Sequence, residues 1–261
     1  MAERTSYKHG TPSWTDLQTS DQAGAKSFYG ALFGWDYDDQ PVGHDEAGNE
    51  AFYSMATKNG KHVAALAPLP MPGVPPHWNV YVTVADVDAS AAQVPAAGGT
   101  VMMPPFDVMD AGRMSLIADP TGAMLCMWQP TNHIGASLVN EHGTLAWEEL
   151  MTSDVPAATG FYAKVFGWEP SSADIPGMEY TELKLDGRGI GGAMNLPMEG
   201  MPPAWGVYFA VDDCDKAAEI AKANGGTVMQ EPTDIPPGRM ALIADPAGAM
   251  FSVIKLAQPS D

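Results

Sequence analysis

The chain carries the same sequence twice, and this duplication constrains its fold more than any other feature. The segment Gly10–Trp35 aligns without a gap to Gly143–Trp168, and 13 of the 26 positions are identical. A later phrase, GRMSLIADPTGAM at Gly112–Met124, recurs as GRMALIADPAGAM at Gly238–Met250. Chance does not produce agreement of this kind, and repeated segments fold into repeated structural units.

The repeats predict two homologous domains, residues 1–130 and 143–261, and a linker over residues 131–142 that packs against one of them. Hydrophobic residues make up 45% of the chain and charged residues 17%. This composition is typical of globular domains with a buried core.

Local patterns give the same order of elements in both copies. Alternation predicts a strand at Trp14–Thr19, and Thr-Ser-Asp then caps a helix over Gln22–Leu32 that ends at a glycine. Two or three strands follow, and a second unit starts with a strand at Trp78–Val84 and a helix at Asp86–Ala97. Each domain is therefore predicted to be α+β, built from two strand–helix–strands units.

Net charge limits the partners of the chain. At −19, the surface repels phosphate backbones and anionic lipids, so we expect neither nucleic acid nor membrane as a partner. The first ten residues lack an apolar signal region, and no run approaches 18 apolar residues. The cysteines, Cys126 and Cys214, fit two buried thiols, and the cytoplasm is the expected compartment.

The phrases SDxxxAxxFY, FGW, VxDVD, GG and ADPxGA resemble the vicinal-oxygen-chelate superfamily, which includes glyoxalase I, extradiol dioxygenases and bleomycin-resistance proteins. The resemblance covers nearly the whole chain. It implies two tandem glyoxalase-like domains, each a pair of βαβββ units whose mixed sheet curls around a ligand-binding cleft. It also implies a monomer, because the duplication supplies covalently the partner that single-domain members obtain by dimerising.

Enzymes of this superfamily hold a divalent metal at four strand positions, usually occupied by His or Glu. By alignment these positions fall on Trp14, Ala65, Asn79 and Cys126 in the first copy, and on Trp147, Gly191 or Gly192, Gly206 and Ser252 in the second. None is a histidine or a carboxylate, and the six histidines form no closely spaced pair. We therefore predict no metal and no other cofactor.

If Trp14 occupies a ligand position, alternation places an aromatic, methionine-rich lining in the cleft. The predicted lining is Trp14, Asp16, Asn79, Tyr81 and Cys126 in domain 1, and Trp147, Glu149, Tyr208 and Ser252 in domain 2. Such a lining suits a small apolar or aromatic molecule held by a few hydrogen bonds. The alternative is that the aromatic side chains fill the cleft as core.

The two cleft acids, Asp16 and Glu149, need partners if they are buried. Arg113 and Arg239 are repeated cations that could pair with these acids or with an acidic ligand. We expect each acid to contact an arginine or an aromatic hydroxyl, and an arginine partner would depress its pKa.

Three functions remain open from the sequence. The first is metal-independent binding of a small molecule, and the second is an enzyme that uses Asp16, Glu149 or Tyr81 as a general acid or base. The third is a metal-dependent lyase, which would need ligands that the sequence does not provide. A purely structural protein is a further alternative.

Overall fold

The computed structural model describes residues 2–44, 48, 50–175, 178–198 and 200–257. Each domain forms one eight-stranded mixed sheet with two helices on one face. Domain 1 and the linker contain β1 (Ala2–Glu3), β2 (Thr11–Thr19), α1 (Gln22–Phe33), β3 (Asp36–His44), β4 (Glu50–Lys58), β5 (Lys61–Pro68), β6 (His77–Thr83), α2 (Val87–Ala97), β7 (Thr100–Val108), β8 (Gly112–Ala118), β9 (Met124–Pro130) and β10 (Leu138–Val139).

Domain 2 repeats this order of elements. It contains β11 (Leu145–Thr152), α3 (Val155–Phe166), β12 (Glu169–Ile175), β13 (Met178–Leu185), β14 (Arg188–Asn195), β15 (Ala204–Ala210), α4 (Cys214–Ala223), β16 (Thr227–Ile235), β17 (Gly238–Ala244) and β18 (Met250–Leu256). No helix in the described part of the chain is long and apolar enough to cross a membrane.

The two sheets have the same topology. Their strand orders are β3-β4-β5-β2-β6-β9-β8-β7 and β12-β13-β14-β11-β15-β18-β17-β16. In each sheet the first strands of the two units, such as β2 and β6, lie antiparallel at the centre. Each is flanked by a parallel strand of its own unit. The predicted fold class, a pair of βαβββ units per domain, is confirmed.

All four helices begin at an aspartate that precedes the first turn. The side chains of Asp21, Asp86, Asp154 and Asp213 each accept a hydrogen bond from a backbone N–H three residues later. This capping satisfies one of the N–H groups that a helix start leaves without a partner. It explains why an SD or a VxD phrase precedes the helix in each of the four units.

Two edge strands, β3 and β12, were not predicted, and β2 begins at Thr11, before its predicted start at Trp14. Strand β3 and its counterpart β12 lie at sheet edges, and β3 is exposed at almost every position. An exposed edge strand shows no alternation of apolar and polar residues, so the sequence of β3 carries no strand signal. Strand β7 continues to Val108, past Pro104 and Pro105, through two register shifts.

The domains pack through the faces that carry the helices, and one core of buried side chains spans both. Their polar contacts are reciprocal. The Trp35 indole donates to the Gly143 carbonyl at 2.7 Å, and the Trp168 indole donates to the Gly10 carbonyl at 2.6 Å. A second reciprocal set, between tyrosine hydroxyls and aspartates, joins Tyr29 to Asp245 and Tyr162 to Asp119, both at 3.1 Å. The interface therefore has the two-fold character of a homodimer.

The linker packs against domain 1. Its Ala136 N–H donates to the Ser13 carbonyl at 2.8 Å, and its short strand β10 pairs with β1 at the N-terminus. Gly135, at φ 104°, contacts the Ser13 backbone so closely that a Cβ would overlap it. The linker is thus packed against domain 1 as part of its structure.

Candidate functional site

The face of each sheet turned away from the helices, called here the cleft face, carries the predicted site residues. On domain 1 Asp16 lies at its centre and is 1% exposed. Its carboxylate accepts hydrogen bonds from the hydroxyls of Tyr81 at 2.7 Å and Tyr53 at 3.0 Å. It also accepts from the amides of Asn79 at 2.8 Å and Gln18 at 3.3 Å. Four neutral donors therefore surround this acid.

Each cleft acid contacts an aromatic hydroxyl, which is one of the two partners expected, and neither contacts an arginine, because both arginines lie elsewhere. Arg113 binds Asp88 through Nε at 2.8 Å and Nη2 at 3.0 Å, and contacts Asp107 at 2.9 Å through Nη1. Arg239 repeats this arrangement with Asp215 and Asp234. Both arginines anchor the first turn of a helix to the edge strands and do not line a cleft.

Domain 1's cleft face is largely filled. Trp14, Tyr81, Cys126 and Trp128 are all buried there, and burial raises the pKa of Cys126 well above its usual range. From the linker, the His133 ring packs edge-on against Trp14 with centroids 4.6 Å apart. The core-filling alternative therefore describes domain 1.

Domain 2 presents the same side chains in a more open state. Trp147, Glu149 and Tyr208 are half-buried, whereas their counterparts in domain 1 are buried. The Tyr208 hydroxyl donates to Glu149 at 2.7 Å, and the Trp147 indole donates to the Tyr180 hydroxyl at 3.0 Å. Burial raises the pKa of Glu149, and the bond from Tyr208 opposes this shift only in part.

Two glycines distinguish the cleft of domain 2 from that of domain 1. Gly206 replaces Asn79, so Glu149 lacks the amide donor that Asp16 receives, and a Cβ at Gly206 would meet nothing nearer than Met151 Cε at 3.6 Å. Gly192 replaces Ala65 and makes room for the Tyr180 hydroxyl, which a Cβ there would overlap. Ser252, the counterpart of Cys126, is buried at the floor.

Sequence reasoning missed three contributors to these faces. Tyr53 and Tyr180 occupy equivalent positions in β4 and β13, and each binds the indole of the cleft tryptophan. Their recurrence in both copies was a usable signal. The position of His133 could not be inferred, because the linker has no counterpart in the duplication.

A fourth missed residue lies on the opposite face of β11. Glu148 is 5% exposed and makes no hydrogen bond to another described side chain, and burial raises its pKa to about 8. Its counterpart in domain 1 is Thr15, whose hydroxyl donates to the Asn79 carbonyl at 2.6 Å. The chain thus holds an acid where the duplicate position holds a satisfied hydroxyl.

The family model of the Glyoxalase/Bleomycin resistance protein/Dioxygenase superfamily matches residues 11–127 and 142–253. The chain belongs to this superfamily. It is 54% identical over 260 residues to the Mycobacterium tuberculosis protein named "Putative glyoxylase CFP32", with 98% of each chain covered. It is 36% identical over 267 residues to the anthracycline biosynthesis protein DnrV of Streptomyces peucetius, covering 97% of this chain and 95% of that protein.

Solved structures share the fold at low sequence identity. The 2,3-dioxygenase LapB from Pseudomonas sp. KL28 superposes with a TM-score of 0.65 at 15% identity, over 96% of this chain and 93% of that one. The Mn(II)-bound glyoxalase from Novosphingobium aromaticivorans gives 0.62 at 16% identity, over 97% and 86%. At these identities the similarity concerns the fold alone.

The residues at the superfamily's metal positions do not fit a divalent ion. In domain 1 they offer an indole, a carboxamide and a buried thiol, and the adjacent Asp16 already accepts four hydrogen bonds. In domain 2 they offer two glycines, an indole and a hydroxyl. Among the described residues, no group of three or more His, Cys, Asp or Glu side chains could hold a metal. Divalent sites of this fold need imidazole and carboxylate ligands.

Proposed function

We propose that the protein binds a small, flat, apolar or aromatic molecule on the cleft face of domain 2, without a divalent metal. The observation that carries this proposal is the difference between the duplicated sites. The same tryptophan–acid–tyrosine set is buried and hydrogen-bonded in domain 1 but only partly buried and less fully bonded in domain 2. Domain 1 then serves as the structural partner.

The lining of domain 2 supports this choice of ligand. The partly buried rings of Trp147, Tyr180 and Tyr208 offer stacking surfaces, and the flexible Met151 side chain lies beside Gly206. The carboxyl group of Glu149 can accept a hydrogen bond from a hydroxyl group of the ligand. A relative named for anthracycline biosynthesis is consistent with a polycyclic ligand.

The proposal also includes a monomeric state and a cytoplasmic location. The net charge of −19 disfavours nucleic acid and anionic membranes as partners, as it does anionic ligands that approach the cleft from solvent.

Calorimetric titration with a neutral hydroxylated anthraquinone tests the proposal. We expect one site per chain, weakened about tenfold or more by Trp147→Ala and by Glu149→Gln, because these side chains supply the stacking surface and the polar handle. Tyr208→Phe in domain 2 and Tyr81→Phe in domain 1 are a matched pair of changes. Only Tyr208→Phe should weaken binding, and Tyr81→Phe should leave the affinity unchanged. Equal losses from Tyr81→Phe and Tyr208→Phe would contradict a site in domain 2.

A second candidate function is supported by Glu149 itself. Its raised pKa and its 2.7 Å contact with Tyr208 suit a general acid or base acting on the same class of ligand. In that case Glu149→Gln would abolish turnover of a bound quinone while retaining binding. Binding without any chemical change in the wild-type protein, together with weakened binding in Glu149→Gln, favours the first function.

A further inference from the structure

A cavity of about 490 Å³ lies at the junction of the two domains, away from both cleft faces. It falls in the size range of small-molecule sites. Its walls come from the end of β4, the linker, the turn before α4 and the end of β18. They include Lys58, Asn140, Glu141, His142, Asp212 and Lys255.

Basic side chains without an ion pair gather around this cavity. Of the 13 lysines and arginines, seven form ion pairs within the described residues. Of the other six, Lys58 and Lys255 line the cavity. Lys216 lies near enough to His142 to lower its pKa. None of these three lysines forms an ion pair with a described residue, although two acids, Glu141 and Asp212, lie in the same wall.

The lining also contains two carboxylates, Glu141 and Asp212, so the donors come from its lysines and its histidine. Lys58 Nζ donates to the Phe33 carbonyl at 2.7 Å and keeps its remaining N–H groups, and burial lowers its pKa. His142 Nδ1 accepts from the Asp212 backbone N–H at 3.2 Å, so the neutral ring carries its proton on Nε2. The Asp212 carboxylate, 3.8 Å from Nδ1, is 87% exposed to solvent and therefore well screened.

The duplication supplies an internal comparison. At the equivalent place on the other side of the molecule, Lys58 is replaced by Leu185, Lys216 by Ala89 and Lys255 by Gln129. The histidine is retained as His9, where Nδ1 again accepts a backbone N–H, from Ala85 at 3.2 Å. The histidine contact is therefore structural, whereas the three lysines are specific to one side.

We propose that this interdomain cavity binds the phosphate or carboxylate group of a small metabolite through Lys58, Lys255 and the His142 Nε2–H. Ammonium and imidazole donors are the usual partners of such groups. Lys216 adds positive potential from the first turn of α4. The site is separate from the cleft of domain 2, and the two can be tested independently.

Thermal unfolding with increasing sodium phosphate or sodium acetate, against sodium chloride at equal ionic strength, tests the proposal. We expect a saturable rise in Tm with at least one of the two anions. It should be lost in Lys58→Leu and Lys255→Gln, which install the residues of the other copy. Lys164→Gln is the control and should keep the rise, because Lys164 also forms no ion pair with a described residue. The salt comparison is needed because phosphate stabilises proteins generally by exclusion from their surface.

A second measurement does not depend on stability. The His142 ring resonances should shift on titration with the responding anion in the wild type and in Lys164→Gln, and remain unshifted in Lys255→Gln. Equal Tm responses in all four proteins, or ring shifts that persist in Lys255→Gln, would overturn the proposal. A response to phosphate alone or to acetate alone identifies which group the site prefers.

Discussion

The two cleft acids show how neighbours decide the role of a side chain. Asp16 and Glu149 both follow a tryptophan by two residues, but only Asp16 receives two tyrosine hydroxyls and two amides. A buried carboxylate with this many donors is a structural centre. Glu149 retains accessible surface and a raised pKa, which leaves it available to a ligand.

Asp16→Asn should therefore destabilise the protein more than Glu149→Gln does. In Asp16→Asn an amide N–H₂ meets donors that previously faced an acceptor, and we expect a loss of about 1–3 kcal/mol in the free energy of unfolding. Glu149→Gln should change this free energy by less than about 1 kcal/mol, because the side chain reaches solvent. Urea unfolding at pH 7 measures both, and a larger loss from Glu149→Gln would reverse the roles assigned here.

Glu148 should make the protein less stable as pH rises. Its pKa is raised from 4.5 to about 8, so the unfolded chain loses this proton first, and folding becomes less favourable between these two values. The full penalty is roughly 4–5 kcal/mol above pH 8 and absent below pH 4. Glu148→Gln should remove this pH dependence, and Glu148→Thr, which installs the domain 1 residue, should do the same. Parallel stability curves for wild type and Glu148→Gln from pH 4 to 9 would contradict this.

Residue-level prediction from sequence succeeded where strand alternation alone decides orientation. It placed Asp16, Tyr81 and Cys126 on one face, as their cross-strand register shows. The partner of Arg113 was not predicted correctly, because its charge was considered without the alternation of side chains along β8. Met114 faces the cleft beside Trp128, so its neighbour Arg113 points to the helix side.

At the scale of elements, buried strands and capped helices were predictable from the sequence, and exposed edges were not. The start of α1 at Gln22 and the end of β2 at Thr19 follow from a cap and a buried pattern that are visible in the chain. Strand β3 depends on backbone pairing with β4 along its length, and its side chains face solvent. No composition rule distinguishes such a strand from a polar loop.

Protonation of His133, in the linker, should lower the stability of the protein in acid. Burial, with a smaller contribution from His62, lowers the pKa of His133 from 6.5 to about 4. The unfolded chain therefore takes up this proton first as pH falls from 6.5, and about 3 kcal/mol of stability is lost by pH 4. His133→Gln should flatten this part of the stability curve, whatever its effect at pH 7.

His62→Gln is the matched control for this measurement, because it changes the neighbouring ring and leaves His133 in place. It should retain most of the acid dependence. If the acid dependence persists unchanged in His133→Gln and disappears in His62→Gln, then His62 causes it and the prediction is wrong.

At the scale of the whole molecule, the reciprocal contacts predict that both domains unfold together. Tyr29 and Tyr162 each bind an aspartate of the other domain, and the aromatic core is continuous between them. Calorimetry should therefore show one transition, with calorimetric and van't Hoff enthalpies in agreement. Tyr29→Phe should lower its midpoint without splitting it, and light scattering should give a monomer. Two resolved transitions in the wild type would show that the domains are separate cooperative units.

The reciprocal interface limits what the linker between the domains contributes to their association. Because each domain offers the other the same set of contacts, the covalent link adds chiefly a high local concentration of one half around the other. Two polypeptides cut within the linker and mixed would then reassemble into the native pair, at a protein concentration that measures the contribution of the connection. The two halves of the chain would then associate as the subunits of a dimer do, without a peptide bond between them.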